Sequence, residues 1–218
     1  MKNSIKIKRL VGLATLAAII VVLQLTSSYL PKLPGDLSLS LVLVPIVIGA
    51  ILYGASGGAI LGFVFAVMVL ADPSTAVFYE ANIAATIIIV IVKSTAAGFL
   101  SGFLFKLIYK YNFYAAIIVA SIVAPFVNTG IFVLGASLFF RNLFGGGLFV
   151  IIGIVGANFL VELAINAVLC PVIAIIIRTI VRNYNVGTNL DESAVLKGED
   201  IKDEELEDED KETVIEGE

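Results

Sequence analysis

Apolar residues gather in six runs, each bounded by basic, proline-rich or glycine-rich stretches, and the runs are long enough to be read as membrane spans. The first, Leu10 to Leu25, follows a basic segment carrying Lys2, Lys6, Lys8 and Arg9. A signal peptide begins in the same way. The length of the run, the lack of a clear small-x-small cleavage site and the five further runs predict a retained first helix instead. Tyr29 to Asp36 holds Pro31, Pro34 and Gly35 and reads as a turn-rich loop. The second span, Leu37 to Tyr53, is short and contains Pro45, and Gly54 to Gly58 reads as a tight turn into a third span ending near Ala71. Asp72 to Ala81, with Pro73 and Glu80, reads as an exposed loop.

The fourth span, Asn82 to Lys110, carries Ala97, Gly98 and Gly102, and the third carries Gly58 and Gly62. Small residues at four-residue spacing leave a face on which another helix can approach closely. The fifth span runs from Phe113 to Phe140 with Pro125 inside it, where proline in a membrane helix often marks a bend beside a cavity. After a turn at Arg141 to Gly147, the sixth runs from Leu148 to about Ile177 and closes at Arg178 and Arg182. In the first span Ala14 and Ala18 lie four residues apart on one face.

The pattern predicts an all-α integral membrane protein of six transmembrane helices. Residues 1–9 form a basic N-terminus, 10–182 the membrane domain and 183–218 an acidic tail. With the N-terminus inside, Lys2, Lys6, Lys8, Arg9, Lys106, Lys110, Arg178 and Arg182 lie at cytoplasmic edges, against Lys32 and Arg141 outside. Basic residues concentrate on the cytoplasmic side, so both termini are expected there.

Composition sharpens this picture. Hydrophobic residues make up 59% of the 218, and the mean hydropathy is +1.04. The net charge of −4 averages two regions: residues 188–218 hold 14 of the 18 acids and 3 of the 14 bases, a net of −11, and leave +7 for the rest. The tail has too little apolar surface to fold and is expected to be disordered. The basic remainder suits contact with anionic lipid headgroups.

The chain has no histidine and one cysteine, Cys170, which reads as a small packing residue before Pro171. No metal centre, nucleophile with its base, or cofactor site is expected, and nothing points to a nucleic-acid partner. The absence of a G-x-x-x-x-G-K-[ST] loop means that any coupling to ATP requires another subunit.

Lys93, in the middle of the fourth span, is the residue that most needs a reason. A cation there costs at least about 2.5 kcal/mol even on lenient insertion scales, so it faces a bundle interior or cavity and has a partner. The partner is read as an anionic substrate, with permanent pairing to Glu162 as the alternative. Counted from the outer helix ends at about 1.5 Å per residue, Lys93, Asn128 and Asn158 all lie roughly 16 to 20 Å deep, near the middle of the bilayer. Asn158, Glu162 and Asn166 recur every four residues and share one face of the sixth helix. Such a stripe serves either as interhelical glue or as ligand contact. The depth match favours contact, with Lys93, Asn128, Asn158, Glu162 and Asn166 as the substrate-binding set.

Six spans with both ends inside, Ala14-x-x-x-Ala18 in the first helix, Leu43-Val-Pro-Ile-Val-Ile-Gly-Ala50, Tyr53-Gly-Ala-Ser-Gly-Gly58 and Pro125-Phe-Val-Asn-Thr-Gly130 together resemble the substrate-binding S components of energy-coupling factor (ECF) transporters. The resemblance covers residues 8 to about 182 and leaves the tail out. It implies an ABC-type importer subunit that captures a vitamin from outside and docks on a transmembrane T component driven by two cytoplasmic ATPases. It further implies docking at Ala14 and Ala18, and a pocket among the last three helices with Tyr29 to Asp36 and Asp72 to Ala81 as a lid. Within the family the sequence looks most like pantothenate binders. Folate, biotin and riboflavin stay open as substrates. A six-span scaffold or cell-shape protein that transports nothing is the alternative class.

Overall fold

The computed structural model describes residues 2–29, 41–141, 143 and 148–183; side chains at 2–5, 28–29, 148–152, 154, 157–158 and 183 fall outside that description. The expected loop at Tyr29 to Asp36, beyond its first residue, and the acidic tail therefore lie outside the described residues. Five helices follow one another: α1 (Lys2–Tyr29), α2 (Leu43–Leu70), α3 (Ala76–Ile108), α4 (Phe113–Phe139) and α5 (Leu148–Asn183). Each contains a segment long and apolar enough to cross a membrane, and no strand occurs among the described residues.

The two glycine-rich runs decide how α2 and α3 pack. At Gly54 the backbone leaves the helical region, with φ 76° and ψ −176°, a conformation open to glycine and rarely to other residues. The chain folds back there. A Cβ on Gly58 would lie 2.7 Å from the Ala50 Cβ, although these residues would stand about 12 Å apart along a continuous helix. Thus the tight turn expected over Gly54 to Gly58 narrows to one residue, and helix resumes at Ala55.

The returning arm of α2 then lies against α3. A Cβ on Gly58 would strike the Gly98 carbonyl, one on Gly98 would strike the Gly58 carbonyl, and one on Gly62 would strike the carbonyl of Ser94. The two small-residue faces predicted separately are each other's partner. Around them α1 packs chiefly on α2, α4 on α3, and α5 on α4 and α2.

Asp72 to Ala81 is mostly exposed, as expected, but it is largely helical rather than a loop. Asp72 accepts hydrogen bonds from the Ser74 amide (2.9 Å) and hydroxyl (2.7 Å), starting a one-turn 3-10 helix at Pro73–Thr75 that runs into α3. Thr75 is buried, with its hydroxyl donating to the Val69 carbonyl at 2.6 Å. Proline at a first helical position and an Asp cap start a helix as readily as they punctuate a loop. Within α3 the backbone is extended at Asn82, whose side chain accepts from the Ala85 amide at 3.0 Å, so a second capped start stands where the fourth span was expected to begin. At the other end α5 continues through Pro171 to Asn183, which puts Arg178 inside the helix rather than at its close.

Apolar burial falls into two clusters. The larger joins Leu13, Ile20, Tyr53, Phe105, Ile117 and Ile173 with their neighbours, and it runs along both arms of α2. The smaller joins Ala85, Ile89, Ala136 and Phe140, with Phe78, Phe132 and Val155 packed on it. Cys170 is buried and free, as a packing residue would be.

Candidate functional site

Between the two clusters runs a polar layer. Lys93 sits on α3 between Ile89 and Phe105, Asn128 on α4 between Ala124 and Ala136, and Glu162 on α5 between Val155 and Ile173. All three are buried, at 9%, 7% and 6% exposure, so these are interior groups and not residues at the lipid surface. Helical periodicity explains the inward aim of Lys93. Thr86, Ile89, Val90, Lys93 and Ala97 recur at three- and four-residue steps and are buried along one face of α3.

The Lys93 ammonium donates to Asn128 Oδ1 at 3.4 Å. It also lies 5.5 Å from the ring centre of Phe132 and 5.9 Å from that of Phe65, so two aromatic faces help to hold the cation. Glu162 lies near enough across the helices to interact with Lys93 electrostatically. Lys93 thus has an amide for a partner, a pairing that the sequence did not suggest, and Glu162, the alternative to an anionic substrate, is buried nearby. Asn166 is fully buried, but its amide donates to the Glu162 carbonyl at 2.9 Å, a bond within α5. Its Oδ1 has no hydrogen-bond partner among the described residues. The side chain of Asn158 lies outside them.

A small cavity of about 50 Å³ touches Lys93 and is lined also by Thr75, Phe78, Thr86, Phe132 and Phe140. Phe78 meets Phe132 edge-on at 5.6 Å and Phe140 at 5.2 Å, which makes an aromatic wall over the lysine. None of these lining residues was singled out from the sequence. Thr86 stands seven residues before Lys93 and Phe132 four after Asn128, so extending each helix face by one or two turns finds them. In a chain this rich in phenylalanine the aromatic residues carry no contrast of their own.

Ala14 and Ala18 are exposed on α1, whereas Leu13 and Ile20 on the same helix are buried in the larger cluster. The small-residue face therefore looks away from the chain's own core.

The described residues form a helical, multi-pass membrane protein with charged and amide side chains gathered in its interior, and an intramembrane ionisable group of this kind is by default a candidate functional site. The family model for the ECF transporter substrate-specific component matches residues 8–174, and the chain belongs to that family. It is accordingly a substrate-binding subunit of a transporter rather than an enzyme, and it works with a small-molecule substrate and a separate T and ATPase module. No curated protein and no solved structure matches it.

Proposed function

We propose that this S component captures a water-soluble vitamin, with pantothenate the best fit, at the polar layer around Lys93 and delivers it inward with a T component and two cytoplasmic ATPases. The observation that carries the reading is a buried cation bonded to one amide and set between two phenylalanine rings. A monoanion with hydroxyl and amide groups matches that chemistry. Its carboxylate meets Lys93, and its donors meet Asn128 and the open Oδ1 of Asn166, with Glu162 and Asn158 completing the set.

The fold-back at Gly54 supports six spans, two of them from α2, and the basic residues at the span ends favour both termini in the cytoplasm; a prokaryotic cell membrane is what the family resemblance implies. The 50 Å³ beside Lys93 is far below the roughly 300 Å³ of a small-molecule pocket. Substrate entry therefore displaces the wall of Phe78, Phe132 and Phe140. The short helical segment from Asp72 to Ala81, which contributes Thr75 and Phe78 to the cavity, takes the lid role expected of a loop. Ala14 and Ala18 form the face that meets the T component.

Mass spectrometry of small molecules released from gently purified protein tests the reading. A vitamin carrying one carboxylate is expected at near one per chain. Folate or riboflavin in its place would redirect the substrate assignment, and protein consistently free of any small molecule would favour a non-transporting scaffold.

A further inference from the structure

A second polar concavity lies at the other end of α3, about 20 Å from Lys93 at 1.5 Å per residue, and the solute site does not use it. Arg9 of α1, Lys106 near the end of α3 and Lys110 just beyond it line one cleft of about 930 Å³, together with Tyr53, Tyr109 and Tyr111. Arg9 is held in place, its guanidinium donating to the Tyr53 carbonyl and the Ser56 hydroxyl, each at 2.8 Å. Lys106 and Lys110 are exposed. No carboxylate is among the residues that line the cleft.

The walls are not uniformly polar. Phe103 and Leu107, 49% and 60% exposed, belong to the same lining, and Phe103 stacks on Phe99 at 6.2 Å along the outer surface of α3. A cationic cleft that opens onto an apolar runway on a membrane-facing helix matches a molecule with an anionic head and hydrocarbon chains. Basic pockets between transmembrane helices hold such headgroups. We propose that this cleft binds the phosphate headgroup of an anionic phospholipid, with its acyl chains lying on Phe99, Phe103 and Leu107.

The chain's own acidic tail is the rival occupant. Arg178 of α5 lies 5.4 Å from the Phe113 ring, and Phe113 meets Phe105 of the cleft at 6.4 Å, so α5 approaches its end beside this site. Between 203 and 210 the tail has seven acids and only Leu206 to offer the apolar wall, so the tail accounts for the cations alone.

The test titrates the full-length chain in detergent with dioleoyl phosphatidylglycerol, dioleoyl phosphatidylcholine or inorganic phosphate, and counts retained lipid by native mass spectrometry. One phosphatidylglycerol is expected to stay bound with at least about tenfold preference over phosphatidylcholine. Lys106→Gln with Lys110→Gln is expected to weaken it roughly thirtyfold, at about fivefold for each cation lost. Lys8→Gln with Arg182→Gln removes the same charge from exposed positions outside the cleft and should leave binding unchanged. Equal loss in both pairs would reduce the effect to a diffuse field and overturn the site. Displacement of the lipid by inorganic phosphate at matching concentration would make free phosphate the ligand. Retention only after the acids between 203 and 210 are neutralised would make the tail the occupant. Either of these last two results overturns the lipid assignment.

Discussion

The backbones of Gly58 and Gly98 touch across the α2–α3 interface so closely that a Cβ on either would collide with the carbonyl of the other. Helix association in a bilayer relies on van der Waals packing, so this contact anchors the bundle beneath the polar layer that Lys93 occupies five residues earlier on α3. Gly98→Val is expected to cost at least about 1 to 3 kcal/mol, because the atoms in the way are backbone and cannot rotate aside. Gly130→Ala supplies the contrast, since nothing lies within 4 Å of the added carbon, and its effect should be neutral or a gain of about 0.5 kcal/mol. Thermal unfolding in detergent compares the two. Equal melting temperatures would mean that the α2–α3 contact is not a close one.

The proposed orientation makes a labelling prediction. Ser74, in the turn before α3, and Tyr111, in the turn after it, are both exposed and stand at opposite ends of that helix. In a background where buried Cys170 is replaced by alanine, Ser74→Cys should react with an impermeant thiol reagent in intact cells. Tyr111→Cys should react only once the membrane is opened. The opposite accessibility would invert the topology and put the basic cleft outside.

The five long apolar helices were legible because hydropathy over 20 or so residues is a strong signal, although the second and third spans expected from it fall largely within the single helix α2. The glycine faces were legible for a similar reason, since Gly58, Gly62 and Gly98 answer a steric demand that other residues fail. What escaped were features in which short polar signals have two readings. Asp72, Pro73 and Ser74 look like a loop, yet they cap a helix, because the same Asp oxygen that closes a turn also satisfies a free helical amide. Depth counting pointed to Lys93 and Asn128, which do meet, and to Asn158, whose side chain lies outside the described residues, whereas Glu162 came from its four-residue spacing. At Asn166 periodicity identified the right face, but the local bond to the Glu162 carbonyl is a competition within the helix that spacing does not reveal. The aromatic wall was invisible, as phenylalanines are scattered through the third to sixth spans.

Coupling to the energising module is expected to depend on Ala14 and Ala18, which face away from the core on α1. Replacing both with leucine leaves the chain's own packing intact and fills the close-approach face. Uptake into cells carrying the full complex should fall to background, while vitamin binding by the purified subunit stays within about twofold of wild type, since surface changes generally cost under 0.5 kcal/mol. Equal loss of binding and uptake would place these alanines in the internal structure and remove the docking role.

The sharpest prediction concerns Lys93 and Glu162. If the ammonium receives a substrate carboxylate, Lys93→Met keeps most of the side-chain length and removes the charge that the ligand meets. Deleting one member of a desolvated charge pair costs about 2 to 5 kcal/mol, roughly thirtyfold to several thousandfold in affinity. The same single variant would also weaken binding indirectly if Lys93 served only to neutralise Glu162, because it would strand a buried carboxylate. Lys93→Met combined with Glu162→Gln, compared with Glu162→Gln alone, separates the two, since both buried charges disappear together while Asn128 and the aromatic wall remain. The single Glu162 variant shows what the loss of that side chain costs by itself. Titrating the identified vitamin calorimetrically against wild type, single and double variants gives the answer, with the melting temperature of each as a check on folding. Weak binding is expected to persist in a well-folded double variant. Recovery of near-normal affinity would show that Lys93 answers Glu162 alone and would remove it from the substrate-binding set.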